Sequence, residues 1–199
     1  MKKQTKSYGY YFITLHTPES RRLLQTNNER AFIISQLQDL LSPRLFVDAV
    51  PAHKQLASCI DLLSFSITAK SIHLLVFTID ASIASHFAGH LNARLMQYRS
   101  EYQPSPLATP KPHIQMKKLR GPHHALTRSV EMHSLHEDWE YDRYSSIGFY
   151  LHDRRGDWMR LWRLTRLYGN DSSSYRLLVE EKIGQRAMNT RSILRLFAS

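Results

Sequence analysis

The sequence is poor in cysteine and has no long apolar run. Cys59 is the only cysteine among 199 residues. A single thiol excludes an intramolecular disulfide and any zinc site built on several thiolates, and it is typical of a reducing compartment. No stretch approaches the roughly 20 apolar residues that a membrane-spanning helix needs. We therefore expect a soluble protein in the cytoplasm, without a membrane partner.

Acidic residues are also scarce, and the excess of positive charge is unevenly distributed. The chain has 27 Lys and Arg against 17 Asp and Glu, a net charge of +10. Residues 29–90 hold four basic and five acidic side chains, whereas 92–128 hold seven and one, and 141–199 hold eleven and six. Basic clusters release counterions when they neutralise phosphates, which predicts a nucleic-acid partner and association with the nucleoid. A solvated basic surface with no such partner is the alternative.

The amino-terminal half has the pattern of an α+β fold. Aromatic and β-branched residues predict a strand over 8–15, and apolar runs predict two hairpin strands over 60–67 and 72–79. The apolar run Leu74 to Phe77 indicates a central strand covered on both faces. Helical spacing predicts a helix over 28–41 and a long helix capped by Asp80, whose apolar face ends in Tyr98 and Tyr102. A weak extended segment is expected at 45–47.

This order of elements predicts a ferredoxin-like antiparallel sheet with helices on one face, followed by a helical C-terminal tail. Prolines make 103–113 an irregular connector, and a helix is predicted from Ala125 to about Leu135. The last third is expected to be wholly helical, with breaks at Gly156, Gly169 and Gly184. We divide the chain into a sheet domain over 1–115 and a basic helical region over 116–199 that packs on it.

Two residues are candidates for chemistry, and each also has a structural explanation. His73 interrupts an apolar strand, where a histidine is commonly a hydrogen-bonded core residue. Tyr98 continues the apolar stripe of its helix, so periodicity alone makes it a packing residue. His86 and His90 lie four apart, a spacing that can bind metal, but solvated side chains explain it equally.

Three segments resemble the single-tyrosine transposases with a His-hydrophobic-His motif, in particular the REP-associated tyrosine transposase group. The family's hairpin typically ends in Met-Pro-Asn-His-hydrophobic-His-Leu-Leu, and residues 68–75 are Thr-Ala-Lys-Ser-Ile-His-Leu-Leu. The family's helix motif is similar to Tyr-Thr-Arg-Tyr-Phe-Asn, and residues 98–103 are Tyr-Arg-Ser-Glu-Tyr-Gln. Its Tyr-Ser-Ser and Tyr-Arg-x-Phe-Val-Glu segments resemble 144–146 and 175–180. The matches occur in the family's order over roughly residues 8–181.

The resemblance implies a nucleophile and a metal. In the family, two histidines bind a divalent ion that polarises the scissile phosphate, and a tyrosine forms a 5′-phosphotyrosine link. It implies that Tyr98 is the nucleophile and that His73 and Gln103 are ligands of Mg²⁺ or Mn²⁺. Ser71 replaces the first histidine, and serine is a poor ligand for a transition metal, so we expect impaired cleavage. Compensation of Ser71 by another ligand remains an alternative.

The predicted partner is single-stranded or hairpin DNA, and the resemblance also implies a possible homodimer. A non-catalytic regulatory protein that binds DNA or RNA is the alternative from another functional class. Trp158 and Trp162 accompany the arginines of the last third and would either stack on bases or pack the tail. The predicted nucleic-acid contacts are Arg94, Lys117, Lys118, Arg120, Arg154, Arg155 and Arg163.

Overall fold

The computed structural model describes seven stretches of the chain. These are residues 8–18, 22–42, 56, 58–102, 112–136, 138–151 and 153–197, with the side chains of the last stretch only as far as 188. The extended segment predicted at 45–47 lies outside the described residues, as does Gln103 and most of the predicted connector.

Four strands form one antiparallel sheet in the order β2-β3-β1-β4. The strands are β1 Gly9–His16, β2 Ile60–Ile67, β3 Ser71–Thr78 and β4 His113–Leu119. With a helix after β1 and another after β3, this is the ferredoxin-like arrangement, so the predicted fold class is confirmed. The predicted hairpin is also confirmed, and β3 is a central strand, as its apolar run indicated.

Two helices cover one face of the sheet, and each is capped as its sequence indicates. Helix α1 spans Asn27–Leu41, and Thr26 forms a capping box with Glu29. Helix α2 spans Ala81–Tyr102, and Asp80 accepts a hydrogen bond from the Ser82 backbone N–H at 2.8 Å. Alternate strand residues fill the layer between these helices and the sheet. They include the fully buried Ile13, Leu15, Ile72, Leu74 and Phe65.

The buried face of α2 differs from the predicted one at its C-terminal end. Phe87, Leu91 and Leu95 are buried as predicted, but the next buried residue is Arg99. Tyr98 is half-buried, and Tyr102 is 69% exposed. The stripe turns toward Arg99 because this guanidinium forms an ion pair with the buried Glu29 of α1, Nε to Oε1 2.6 Å. A hydrophobic pattern cannot reveal a charged core position of this kind.

The C-terminal region packs on the opposite face of the sheet and forms a second core. Helix α3 spans Pro122–His133 and contacts β1, β2 and β3. The long helix α6 spans Ser172–Phe197 and contacts α3. Tyr150, Leu164, Tyr175 and Val179 are buried between them and the sheet. The short helices α4 Ile147–Tyr150 and α5 Trp162–Thr165 complete this layer.

Two expectations for the last third of the chain are wrong. It is not wholly helical, because much of 134–161 consists of turns and bends around the four-residue α4. The tripeptide 144–146 runs beside β2, where the Ile67 N–H donates to the Tyr144 carbonyl and the Ser146 N–H to the Phe65 carbonyl, both at 2.9 Å. Gly184 does not break a helix, since α6 continues through it. Gly169 does end one, with φ 78°.

Strand β4 was missed in the sequence because its side chains do not alternate. Its first six residues are exposed and only Leu119 is buried, as suits an edge strand that contributes little to the core. β4 crosses the predicted domain boundary at 115, and the division into two domains stays a prediction. None of the helices in the described part of the chain is long and apolar enough to cross a membrane.

Candidate nucleic-acid interface

The sheet separates the two residues that the sequence singled out for chemistry. Because β3 alternates, Ile72 and Leu74 lie in the core beneath α1 and α2, and His73 lies on the opposite face toward α3. There its ring stacks on Phe12, with centroids 5.6 Å apart. Tyr98 stacks on Phe32 of α1 at 4.3 Å. The structure therefore does not bring Tyr98 and His73 together within one chain.

Both ring nitrogens of His73 have hydroxyl partners. Nε2 lies 2.8 Å from Ser71 Oγ, and Nδ1 lies 3.2 Å from Thr14 Oγ1. Burial, followed by the nearby His136 and His16, lowers the pKa of His73 to about 4. The imidazole is therefore neutral at physiological pH, with one nitrogen donating and the other accepting. This is the arrangement of a hydrogen-bonded structural histidine.

The described residues do not fit the metal that the resemblance implies. Among them, no group of three or more His, Cys, Asp or Glu side chains could hold an ion. Mg²⁺ requires an octahedron of oxygen ligands, and the hydroxyls beside His73 are engaged with its own ring. Gln103 lies outside the described residues, so its part as a ligand stays a prediction. We derive no reaction step through a metal at His73.

Two neighbouring clefts lie beside α3, one next to His73 and one along β4. The first has a volume of about 340 Å³ between the sheet, α3 and α6, and the second, of about 330 Å³, lies between β4 and α3. They share Arg128 and Glu131. We call the two together the basic channel. Its lining residues are Phe12, His73, Lys117, Lys118, Leu119, Arg120, His124, Thr127, Arg128, Glu131, Met132, Ser134, Leu135, Lys182 and Arg186.

The charge of the basic channel is strongly positive. Its lining residues include six Lys or Arg and one carboxylate. Five of the six direct their charge to the channel, because the Lys118 ammonium lies 5.9 Å from the Tyr11 ring centroid on the other face of the sheet.

The carboxylate of the channel, Glu131, lies between two cations, 2.6 Å from Arg128 Nη1 and 3.4 Å from Lys182 Nζ. Arg186 donates from Nη1 to the Ser134 carbonyl at 2.9 Å. Even with Glu131 neutralising one charge, the lining keeps an excess of cations, which attracts a polyanion.

The floor of the channel offers an aromatic surface beside these cations. Phe12 and His73 are nearly coplanar, with an angle of 11° between their rings, and both are half-buried. The Arg128 guanidinium lies 5.6 Å from the Phe12 centroid. Aromatic faces next to cations combine base stacking with phosphate contacts, the usual chemistry of single-stranded nucleic-acid sites. The channel can therefore bind both parts of a nucleotide.

The predicted nucleic-acid contacts fall into two groups. Lys117, Lys118 and Arg120 line the basic channel. The others lie elsewhere. Arg94 is on α2, where it donates to Gln97 at 3.4 Å, and Arg155 is exposed in the turn region before α5.

Arg154 and Arg163 have internal partners. Arg154 donates from Nη1 to the carbonyls of Arg143 and Ser145, at 3.0 and 3.3 Å. Arg163 pairs with Asp61 at 2.6 Å, and its guanidinium lies 3.7 Å from the Phe77 centroid. Arg163 thus attaches the C-terminal region to β2, whereas Arg154 joins two parts of the C-terminal region itself.

The two tryptophans of the last third differ in burial. Trp158 is 6% exposed and packs on Phe65 and Phe149, so it belongs to the core. Trp162 is 51% exposed, with Arg163 at 4.4 Å from its ring centroid. The packing interpretation therefore holds for Trp158.

Among the residues of the channel that sequence reasoning missed, four supply its charge or its stacking surface, namely Phe12, Arg128, Lys182 and Arg186. Phe12 is one of several aromatic residues in β1, and nothing local distinguishes it. Lys182 and Arg186 share one face of α6 by their spacing of four, which is the only local signal for this set. Their approach to Arg128 follows from the packing of α6 on α3, a long-range contact that no local pattern reports.

A second polar cluster has the composition of a hydrolase triad but is buried. Ser66 Oγ lies 2.7 Å from His136 Nε2, and His136 Nδ1 lies 2.6 Å from Asp142 Oδ2. Ser66 has no exposed surface, so no substrate reaches its hydroxyl. The cluster instead attaches the turn region after α3 to the edge of the sheet.

Of the comparisons with known proteins, the one with solved structures found matches. No protein-family model and no curated protein matches the sequence. Among solved structures, the chain is similar to a REP-associated tyrosine transposase bound to a REP hairpin. The TM-score is 0.49 at 10% identity, over 80% of this chain and 94% of that one. At this level the comparison is a likeness in fold and carries no functional argument.

Proposed function

We propose that this protein is a transposase-like DNA-binding protein that takes single-stranded or hairpin DNA into the basic channel. The observation that carries the proposal is the channel itself, in which Arg128, Lys182 and Arg186 line the same cleft as the stacked rings of Phe12 and His73. Lys117 and Arg120 line the neighbouring cleft. Lysines and arginines contact the phosphates, and an unpaired base stacks on the exposed part of the Phe12 ring. The sequence resemblance supports DNA as the polymer.

We further propose that single-tyrosine cleavage is impaired. Three observations support this. Ser71 stands where the resembled family has its first histidine, His73 is occupied by two hydroxyls, and Tyr98 lies across the sheet from His73. A tyrosine nucleophile must reach the phosphate that the metal polarises, and this geometry does not provide that contact within one chain. A homodimer in which Tyr98 of one protomer serves the other is the arrangement that would restore it.

The test is covalent trapping on a labelled hairpin oligonucleotide with Mg²⁺ or Mn²⁺. Wild type, Tyr98→Phe and Ser71→His are compared on denaturing gels for protein–DNA adducts and on native gels for binding. The proposal predicts a shifted band and no adduct from wild type. An adduct that disappears in Tyr98→Phe would refute impaired cleavage, and one gained only in Ser71→His would locate the loss at that residue. Light scattering of the same sample reports whether the protein is a dimer.

A regulatory protein that binds RNA would use the same cations and aromatic rings. The binding of DNA must therefore be compared with the binding of RNA. Unlabelled DNA hairpin, duplex DNA and an RNA hairpin of the same sequence are used as competitors. The proposal predicts that the DNA hairpin competes best. Stronger competition by RNA would overturn it in favour of the regulatory alternative. Preferential DNA binding would also support nucleoid association, which imaging of a fluorescent fusion measures.

A further inference from the structure

A third cleft lies beside the turn between β2 and β3, outside the basic channel. Its volume is about 1160 Å³, enough to hold a nucleotide. The lining residues that bear on its chemistry are Arg30, Asp138, Tyr141, Asp142, Arg143 and Tyr144. We name it the Tyr144 cleft and propose that it binds a nucleotide, with the phosphate at Arg30 and Arg143 and the base at Tyr141.

Two cations lie at the ring of Tyr144. The guanidinium carbons of Arg30 and Arg143 are 5.3 and 4.9 Å from its centroid, within the range of cation–π attraction. The ring is held in place, because Tyr144 is 9% exposed and its backbone carbonyl accepts the Ile67 N–H. A contact with a ring face uses none of the N–H groups of a guanidinium as hydrogen-bond donors to oxygen. The arginines are therefore neighbours that keep donors for another partner.

These two arginines have no carboxylate partner in the part of the chain that the structure describes. Arg143 is exposed. Arg30 is half-buried with its Nε enclosed, so its terminal nitrogens are the donors that a ligand can reach. A phosphate monoester carries a charge of about −1.5 to −2 at pH 7, and guanidinium groups bind phosphate oxygens through paired hydrogen bonds. Two neighbouring guanidiniums without a countercharge therefore suit a phosphate.

Two carboxylates also line the cleft, and one of them is engaged. Asp142 Oδ2 lies 2.6 Å from His136 Nδ1, and its Oδ1 accepts the Tyr144 backbone N–H at 2.8 Å. Asp138 is exposed. With Arg22 as a third arginine at the cleft, the cations outnumber the carboxylates, which attracts an anion.

An aromatic side chain beside these cations indicates the kind of anion. Tyr141 is 83% exposed and lines the same cleft, and exposed aromatic faces stack on bases. Leu135 lines both this cleft and the one next to His73, so a strand in the basic channel can pass on to the Tyr144 cleft. A free nucleotide and a nucleotide within a strand share this chemistry. The proposal does not rest on DNA binding by the basic channel.

The test is calorimetric titration of the full-length protein with adenosine monophosphate, and with adenosine as the probe that lacks the phosphate. We expect one adenosine monophosphate per chain and weaker binding of adenosine. Arg143→Gln should weaken the binding of adenosine monophosphate by about tenfold, the lower end of what a hydrogen bond to a charged group contributes. Tyr141→Ala should weaken it as well. The controls, which should keep the wild-type affinity, are the exposed Arg155→Gln and the channel variant Lys117→Gln, Arg120→Gln.

Competition by a short single-stranded oligonucleotide distinguishes the two sources of the nucleotide. An oligonucleotide that displaces adenosine monophosphate and binds more tightly assigns the cleft to a polynucleotide, and one that binds more weakly assigns it to a free nucleotide. Circular dichroism establishes that the variants fold. Absence of saturable binding, equal binding of adenosine, unchanged affinity in Arg143→Gln or Tyr141→Ala, or a loss in the channel variant alone would overturn the proposal.

Discussion

Removal of the buried Arg99 guanidinium should destabilise the fold severely. Glu29 is fully buried, and Arg99 is 4% exposed. Arg99 donates from Nε to Glu29 Oε1 at 2.6 Å and from Nη2 to the Leu23 carbonyl. The second carboxylate oxygen of Glu29 accepts the backbone N–H groups of Gln25 and Thr26. This ion pair therefore joins α1, its capping segment and α2.

The expected cost follows from what Arg99→Met leaves behind. The carboxylate of Glu29 stays buried without its countercharge, and breaking a buried pair from one side costs about 3–5 kcal/mol. For a chain of this size, 1 kcal/mol corresponds to a shift of about 2–4 °C in melting temperature. We therefore expect Tm to fall by about 6–20 °C. The double variant Glu29→Gln, Arg99→Met should recover part of the loss, because it removes both charges.

Urea unfolding followed by tryptophan fluorescence measures the change in free energy of unfolding. The matched control is Arg128→Met, which breaks a pair with Glu131 at the same 2.6 Å distance but with side chains 41% and 30% exposed. An exposed pair of this kind contributes about 0.2–1 kcal/mol. If Arg99→Met costs no more than Arg128→Met, the argument from burial is refuted.

Three further predictions concern stability. Burial, and then His136, lowers the pKa of His133 to about 3, so the folded state keeps this imidazole neutral while the unfolded state protonates it below about pH 6.5. The contribution of the neutral His133 to the stability of the fold is therefore complete above pH 6.5 and is lost as pH falls toward 3. At pH 5.5 this effect should lower the free energy of unfolding by about 1.4 kcal/mol. Urea titrations at several pH values should show a weaker pH dependence in His133→Gln. Gly169→Ala should cost about 1–2 kcal/mol because φ is 78°, whereas Gly184→Ala within α6 should stabilise by about 0.4–1 kcal/mol; thermal melts that move both in the same direction would contradict the backbone argument. Tyr175→Phe removes the hydroxyl that lies 2.8 Å from both Ser129 Oγ and His133 Nδ1 and should cost about 1–3 kcal/mol in urea unfolding, and a neutral result would mean that these groups find other partners.

Local patterns were sufficient for most of the sheet domain. The hairpin strands are apolar and end at a polar turn, and helices α1 and α2 carry both apolar periodicity and capping residues, so their bounds could be predicted. β4 could not, because an exposed edge strand has neither alternation nor an apolar run. Arg99 was missed for a related reason, since burial of a charge depends on its partner Glu29, which is 70 residues away in the chain.

The candidate site was only partly accessible from sequence. Lys117 and Arg120 were predicted because they lie in a basic cluster, and His73 because it interrupts an apolar strand. Arg128, Lys182 and Arg186 converge only when α6 packs on α3. Whether His73 and Tyr98 lie near each other depends on which face of β3 packs against α2. Their spacing along the chain does not reveal that the sheet separates them.

The salt dependence of DNA hairpin affinity tests the central claim most directly. The triple variant Lys117→Gln, Arg120→Gln, Lys182→Gln removes three cations from the basic channel, and Lys70→Gln, Arg94→Gln, Arg155→Gln removes three from elsewhere on the surface. Fluorescence anisotropy over a range of salt concentrations gives the slope of log affinity against log salt. The account predicts that the channel variant binds more weakly and has a slope smaller by about 2–3, at roughly 0.7–0.9 for each lost phosphate contact, while the other variant stays close to wild type. Equal losses in both variants would show that DNA binds through general charge rather than through the channel.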